Sequence, residues 1–421
     1  MQNAAASLRL KLPVLCALAI IALALGIGFF EHGDLHSAWN MIRIPANTPL
    51  FCDTRGFTHA IDCVLHGQDP YHVSSFDPWH RLYNYPPIWL EARHLGVTSR
   101  SSNLIGVLLA VCAMVAYVLL FNARTAISAI IVLLALTSRS VLFAFERGNN
   151  DEAVFFLLVL GFLLIDRLRP ELRTRFTVLL ISLLTILKVY PIAAVTVYLD
   201  QRNGRRKAVL AGAAALAALL LTTGSRLPLV FANTPRDTDL SFGAFPFFYS
   251  LAEHSVHSRA PVILHHPGAV SLAGVLLGVL ALVVGVSLSG RLDRFLPPLR
   301  SDHARGAIAI ACLSIFCLAF IAGSSYDYRL IYLLGALAYL VDDIDQRVSL
   351  RSVPAAVLIL MLLWKPFWLS ISGEFFDGLV FVMACAWLGN SLSRGAASLA
   401  TAWRRSPSAD RKTGQYAQLI P

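Results

Sequence analysis

The chain has 421 residues, 57% of them hydrophobic and only 14% charged, with a mean hydropathy of +0.64. A soluble domain carries roughly a quarter of its residues as charges to cover its surface, so a soluble enzyme is excluded and an integral membrane protein is indicated. The net charge of +10 would suggest nucleic acid in a soluble protein; here its placement sets orientation instead, and no nucleic-acid partner is expected.

Apolar runs of about 18 or more residues are long enough to cross a hydrocarbon core of about 30 Å. They lie near 13–30, 103–121, 126–145, 151–166, 207–223, 268–289, 304–322, 326–341, 353–371 and 374–393. The reading is an all-α polytopic bundle of about 10–12 transmembrane helices. The first span follows Arg9 and Lys11, and no small-x-small cleavage pattern follows it, so it reads as an uncleaved helix rather than a signal peptide.

The loop 31–102 comes next. Phe57, Ala60, Ile61, Val64 and Leu65 recur at helical spacing, which predicts an amphipathic helix in the interface plane. Gly67 ends it, and Asp69, Pro70 and Tyr71 turn the chain. Asp53, just before the apolar face, reads equally as a helix N-cap or as a general base. Asn84 and Tyr85 follow in YNYPP. Of the cysteines, Cys16, Cys112, Cys312, Cys317 and Cys385 lie in apolar spans, while Cys52 and Cys63 share the loop and are read as free thiols, with a disulfide as the alternative.

ERGNNDE, Glu146–Glu152, separates two apolar runs. It is either a solvated hairpin with Gly148 in the turn or one wall of a site, in which Arg147 would grip a phosphate as a fork and Asn149 and Asn150 offer amide groups. Between the basic loops RLRPELRTR (167–175) and QRNGRRK (201–207) the chain must cross an even number of times, yet 176–199 offers only 24 residues. Two full helices need roughly 40. The segment is therefore a re-entrant or broken pair, with Pro191 supplying the break and Lys188 at its apex, where an anion partner is favoured. A second loop, 224–267, holds His254, His257, His265 and His266, read as surface histidines with no metal. SSYDYR (324–329) places Asp327 and Arg329 beside the next span, as site residues or as an interfacial belt with a local ion pair. The tail 394–421 is basic and reads as disordered. The whole, 1–393, reads as a single membrane domain.

Basic residues before the first span, in both loops above, in RLDRFLPPLRSDHAR (291–305) and in the tail place those segments and both termini in the cytoplasm. The polar clusters around Asp53, YNYPP, ERGNNDE, Lys188 and SSYDYR then all fall on the extracytoplasmic face. A transporter or flippase for an anionic solute or a lipid-linked sugar shares the broken helix, although such proteins place their sites near the midplane.

An acidic residue preceding D-P-Y, a Y-x-Y-P-P stretch, a polar G-N turn (Gly148-Asn149), a Lys-x-x-Pro break (Lys188 to Pro191) and Tyr326-Asp327-Tyr328-Arg329 together resemble the polyprenol-phosphate-mannose-dependent mannosyltransferase family. Those are membrane glycosyltransferases of the C-type (GT-C) fold, and the resemblance covers roughly residues 10–345. It implies a plasma-membrane enzyme that moves mannose or another hexose or pentose from a polyprenyl-monophosphate donor to a lipid or glycan acceptor on the extracytoplasmic face, with inversion. Asp53 would be the base, and Lys188, Arg147 and Arg329 would hold the donor phosphate. Asn149, Asn150, Asp151, Asn84, Tyr85, Tyr326 and Asp327 would contact sugar or acceptor. Neither metal nor other cofactor is required.

Overall fold

A computed structural model describes residues 2–201, 203–255, 266–347, 350–367 and 370–404. Among these the chain is helical throughout, apart from one two-stranded pairing in which Ser241 lies opposite Tyr326 and Phe242 opposite Ser325. Among the described residues six helices are long and apolar enough to cross a membrane, or seven if one bent pair counts as a single span. This is fewer than the sequence reading of about 10–12.

The shortfall has identifiable causes. The run 126–145 is two helices, Ala126–Leu136 and Arg139–Arg147, bent by 41°. At the bend Thr137 Oγ1 bonds back to the Leu133 carbonyl (2.9 Å) and competes with the helix ladder. The run 353–371 is helical only over Val353–Leu363, because Pro366 disfavours helical backbone at Lys365. The run 326–341 opens as a 3-10 turn, Asp327–Tyr332, before the helix Leu333–Arg347. At the other end of the chain, Ile371–Arg404 is one helix. The expected disordered tail from residue 394 is therefore helical to Arg404, and 405–421 lie outside the described residues.

The helix Ala304–Ile321 forms the hub. Its spanning window is 83% buried, against 22–33% for four of the other five spans. It has no charge beyond Arg305 and packs on the 3-10 segment Tyr190–Tyr198 and on the helices Asp151–Asp166, Leu333–Arg347 and Ile371–Arg404. The peripheral helices instead expose rows of Leu and Val, such as Leu272, Leu276, Val279, Leu280 and Val283, as lipid-facing helices do. Two of them close on each other where a Cβ at Gly285 would overlap the carbonyl of Ala386.

The segment 176–199 does turn back. The helix Pro170–Leu187 ends at Lys188, which is extended (φ −153°, ψ 138°), and the returning limb is a 3-10 helix, Tyr190–Tyr198. A 3-10 helix rises about 2.0 Å per residue rather than 1.5 Å, so nine residues return further than an α-helix of the same length would. The carbonyl of Leu187, left open by the break, accepts a hydrogen bond from Trp89 Nε1 (2.9 Å).

Candidate functional site

Three helices run from one polar end of the bundle to the other. Asp151–Asp166 starts at the Lys188 end and finishes at the basic-loop end, while Pro170–Leu187 and Ala304–Ile321 run the opposite way. The Lys188 end contains a cavity of about 650 Å³. Its walls bring together Asp53, Arg147, Lys188, Arg329, Asn84, Tyr85 and Tyr326 from five separate stretches of sequence.

The amphipathic helix forms as the periodicity predicts, at Cys52–Leu65, but its cap is Phe51 rather than Asp53. Asp53 stands in the first turn, where the helix dipole favours an anion. That turn is stitched residue by residue to ERGNNDE. Phe51 N donates to the Glu146 carbonyl (3.2 Å), and Arg147 Nη1 donates to Cys52 Sγ (2.7 Å). Thr54 Oγ1 donates to the Gly148 carbonyl (2.6 Å), and Asn149 Nδ2 donates to Asp53 Oδ2 (2.6 Å). Gly148 makes the crossing possible: it is left-handed (φ 55°) and a Cβ there would lie 2.7 Å from Thr54 Oγ1. The solvated-hairpin reading of ERGNNDE is thus overturned, since Glu146, Asn149, Asn150, Asp151 and Glu152 are all buried.

Burial also changes what these side chains can do. Asn149 Oδ1 accepts from Asp151 N (2.9 Å) and Lys188 Nζ (2.9 Å), while its Nδ2 serves Asp53 and the Tyr85 hydroxyl (3.3 Å). Both lone pairs and both hydrogens are used, so none is left for a sugar. Lys188 Nζ donates to Asn149 Oδ1, Asn150 Oδ1 and Asp151 Oδ2 (2.9 Å), which exhausts its three hydrogens. It lies 5.0 Å from the centre of the Tyr85 ring. Asp151 accepts in addition from Arg329 Nε (3.3 Å) and Tyr332 OH (3.2 Å). None of Asn149, Asn150 and Asp151 lines the cavity: Asn149 and Asp151 hold neighbouring side chains in place, while Asn150 Nδ2 has no hydrogen-bond partner among the described residues. Asp327 is removed from the cavity as well: it is fully buried and pairs with Lys365 (3.1 Å), which also meets Asp377 (2.9 Å).

The guanidinium groups keep more freedom. Arg147 uses Nη1 on Cys52, with Nε 3.4 Å from Glu146; Arg329 uses Nε on Asp151 and Nη1 on Ser325 Oγ (3.1 Å). Among the described residues neither has a hydrogen bond at Nη2, and both line the cavity. Two further arginines join them that the sequence reading passed over. Arg81 grips Asp77 (2.9 Å) and the Cys52 carbonyl (2.7 Å), approaches Asp53 (3.8 Å) and lies over the Trp79 ring. Arg236 lies on the same wall. The lining therefore has five basic side chains against one acid, Asp53. Burial and the neighbouring Asp53 push the Cys52 thiol up to about 12, so it stays protonated and donates to Asp53 Oδ1 (3.4 Å). Cys52 and Cys63 lie three turns apart on one helix, about 16 Å at 1.5 Å per residue, far beyond disulfide reach, and both are free thiols.

The DPY turn is built as expected: Asp69 Oδ1 accepts from Tyr71 N (3.1 Å), and the Tyr71 hydroxyl, beyond Pro70, donates to the Tyr85 carbonyl (2.8 Å), which fixes one wall. His257 and His265 lie outside the described residues. No group of three metal-ligating side chains occurs among the described residues. No family model, curated protein or solved structure matches the chain.

Proposed function

We propose that the chain is a membrane glycosyltransferase of GT-C type. It would take a sugar from a polyprenyl-monophosphate donor and pass it, with inversion, to a hydroxyl of a lipid or glycan acceptor. The observation that carries this reading is one cavity lined by a lone carboxylate, Asp53, and by two arginines, Arg147 and Arg329, whose Nη2 groups are unused among the described residues. An acceptor hydroxyl beside Asp53 gives up its proton to the carboxylate as its oxygen attacks the anomeric carbon. The bond from that carbon to the phosphate oxygen breaks, and its electron pair leaves with the phosphate. Arg147 and Arg329 face the growing charge with free Nη2 groups, and donors aimed at developing charge stabilise the transition state most.

Lys188 contributes differently from Arg147 and Arg329. With its hydrogens committed, it supplies field across the Tyr85 ring and fixes Asn149, which in turn aims Asp53. Asn84, Tyr85 and Tyr326 on the cavity wall are the sugar and acceptor contacts of this reading. In this reading the basic loops and both termini are cytoplasmic by the positive-inside rule, and the cavity opens on the extracytoplasmic face of the plasma membrane.

Native mass spectrometry of the purified protein tests the donor class. A co-purifying polyprenyl-phosphate sugar, lost in an Arg147→Ala/Arg329→Ala variant, is the expected result. A co-purifying soluble anion, with no lipid-linked sugar even after its addition, would favour a transporter instead.

A further inference from the structure

The three basic loops that set orientation do more than flank helices. Residues 166–174, 198–201 and 298–304, with Lys207, converge around a second cavity, of about 840 Å³, at the end of the bundle opposite Asp53. The two cavities are separated by the helix Pro170–Leu187, about 27 Å at 1.5 Å per residue. Orientation in the membrane requires positive charge in loops; it does not require an invagination that reaches Thr177, Val197 and Ala307 between the helices.

The electrostatics of this cavity have two sources. The stretches 166–175, 200–207 and 300–305 contain ten basic residues against four acidic ones, while the lining itself is balanced, with Arg173, Lys207 and Arg300 against Asp166, Asp200 and Asp302. Arg300 and Lys207 both line the cavity, and neither forms an ion pair among the described residues; Lys207 bonds only to Gln201 Oε1 (3.2 Å). Of the lining acids, Asp200 is occupied by Ser301 N (2.7 Å) and Ser301 Oγ (2.5 Å), and Asp166 faces Arg173 (3.4 Å). Asp302 is taken by His303 (3.3 Å).

The second source is the backbone. Pro170, Lys207 and Ala304 lie in the first turns of three helices of 18, 20 and 18 residues, and all three line the cavity. The residues before those helices, Arg169, Asn203 and His303, make no side-chain capping hydrogen bond. Each helix start presents the positive end of its dipole without a side-chain cap, although Pro170 has no N–H and Leu172 N and Gly204 N already donate to the carbonyls of Arg169 (3.0 Å) and Gln201 (2.9 Å).

We infer that this cavity is a second binding site, for a phosphate-bearing anion, held by Lys207 and Arg300 over three uncapped helix starts. Phosphate at helix N-termini uses both the free amides and the dipole, and basic pockets between spans on the cytoplasmic side hold phosphorylated headgroups. The site shares no residue with the Asp53 cavity, so it stands whether or not the transferase reading does.

The test uses full-length protein in detergent and two probes: inorganic pyrophosphate by calorimetry, and phosphatidic acid against phosphatidylcholine by native mass spectrometry. Lys207→Ala/Arg300→Ala is expected to weaken binding about tenfold or more, since two charge-assisted contacts are lost. Arg205→Ala/Arg206→Ala, on the same face but outside the cavity lining, is expected to leave it within about twofold, since it removes no lining contact. Binding of pyrophosphate as well as phosphatidic acid means a free phosphate compound suffices; binding of phosphatidic acid alone means a lipid headgroup is the ligand. Either supports the site. Failure of both probes, or equal losses in the two variants, would overturn it.

Discussion

The two polar ends of the bundle hold similar numbers of charges in opposite ways. At the Asp53 end the charges are buried and interlocked: Asp151 alone is shared by Lys188, Arg329 and Tyr332. At the basic-loop end they are solvated and loosely paired, as in Arg173–Asp166, where both side chains are 39% exposed. Burying ions is costly unless partners and geometry are fixed. The Asp53 end is therefore built for one arrangement, which suits positioning a reacting group, whereas the basic end can exchange partners, which suits reversible capture of an anion.

The contrast can be broken by substitution. The largest effect is expected at Asp53. Asp53→Asn keeps the shape and loses the base, so transfer should fall by about 10²–10⁴-fold, while donor co-purification stays at the wild-type level. Next comes Asp151→Ala, which strands two buried cations and should cost about 3–5 kcal/mol of stability, read as a large drop in detergent melting temperature. Asp166→Ala removes an ion pair at the exposed end and should cost only about 0–1 kcal/mol. Equal destabilisation by these two variants would remove the distinction between the ends.

The smallest expected effect concerns pH. Burial works against ionisation of Asp77, but the Arg81 hydrogen bonds and charge outweigh it and hold the carboxyl below its ordinary value. A depressed folded value means that the stabilisation is present above the unfolded value, about 3.9, and is lost as pH falls through the folded one. The melting-temperature gap between wild type and Asp77→Asn should be constant above about pH 5 and narrow below about pH 4.

Much of this arrangement was legible in the sequence. Lys188 beside Val189-Tyr190-Pro191 announced both a break and a buried cation, because a lone lysine in an apolar run has few other uses. The amphipathic spacing located the helix Cys52–Leu65, and the charge of ERGNNDE marked a turn that is more than a turn. Pairings over long separations were not legible. Nothing local tells that Asp327 belongs to Lys365 rather than to the cavity, or that Arg81 reaches back to Asp53 and Cys52. The roles of Asn149 and Lys188 depended on counting hydrogens already used, which only coordinates allow. Apolar length alone does not reveal a bend, as at Thr137, or an early stop, as before Pro366.

Transfer itself is the most direct test of the transferase account. Purified protein in liposomes would be given a polyprenyl-phosphate sugar labelled in both the sugar and the phosphate, with a lipid extract as acceptor. The account predicts free polyprenyl phosphate in equal amount to newly glycosylated acceptor with wild type, and neither product with Asp53→Asn. A donor that stays intact with wild type, or changes leaflet without losing its sugar, would contradict it.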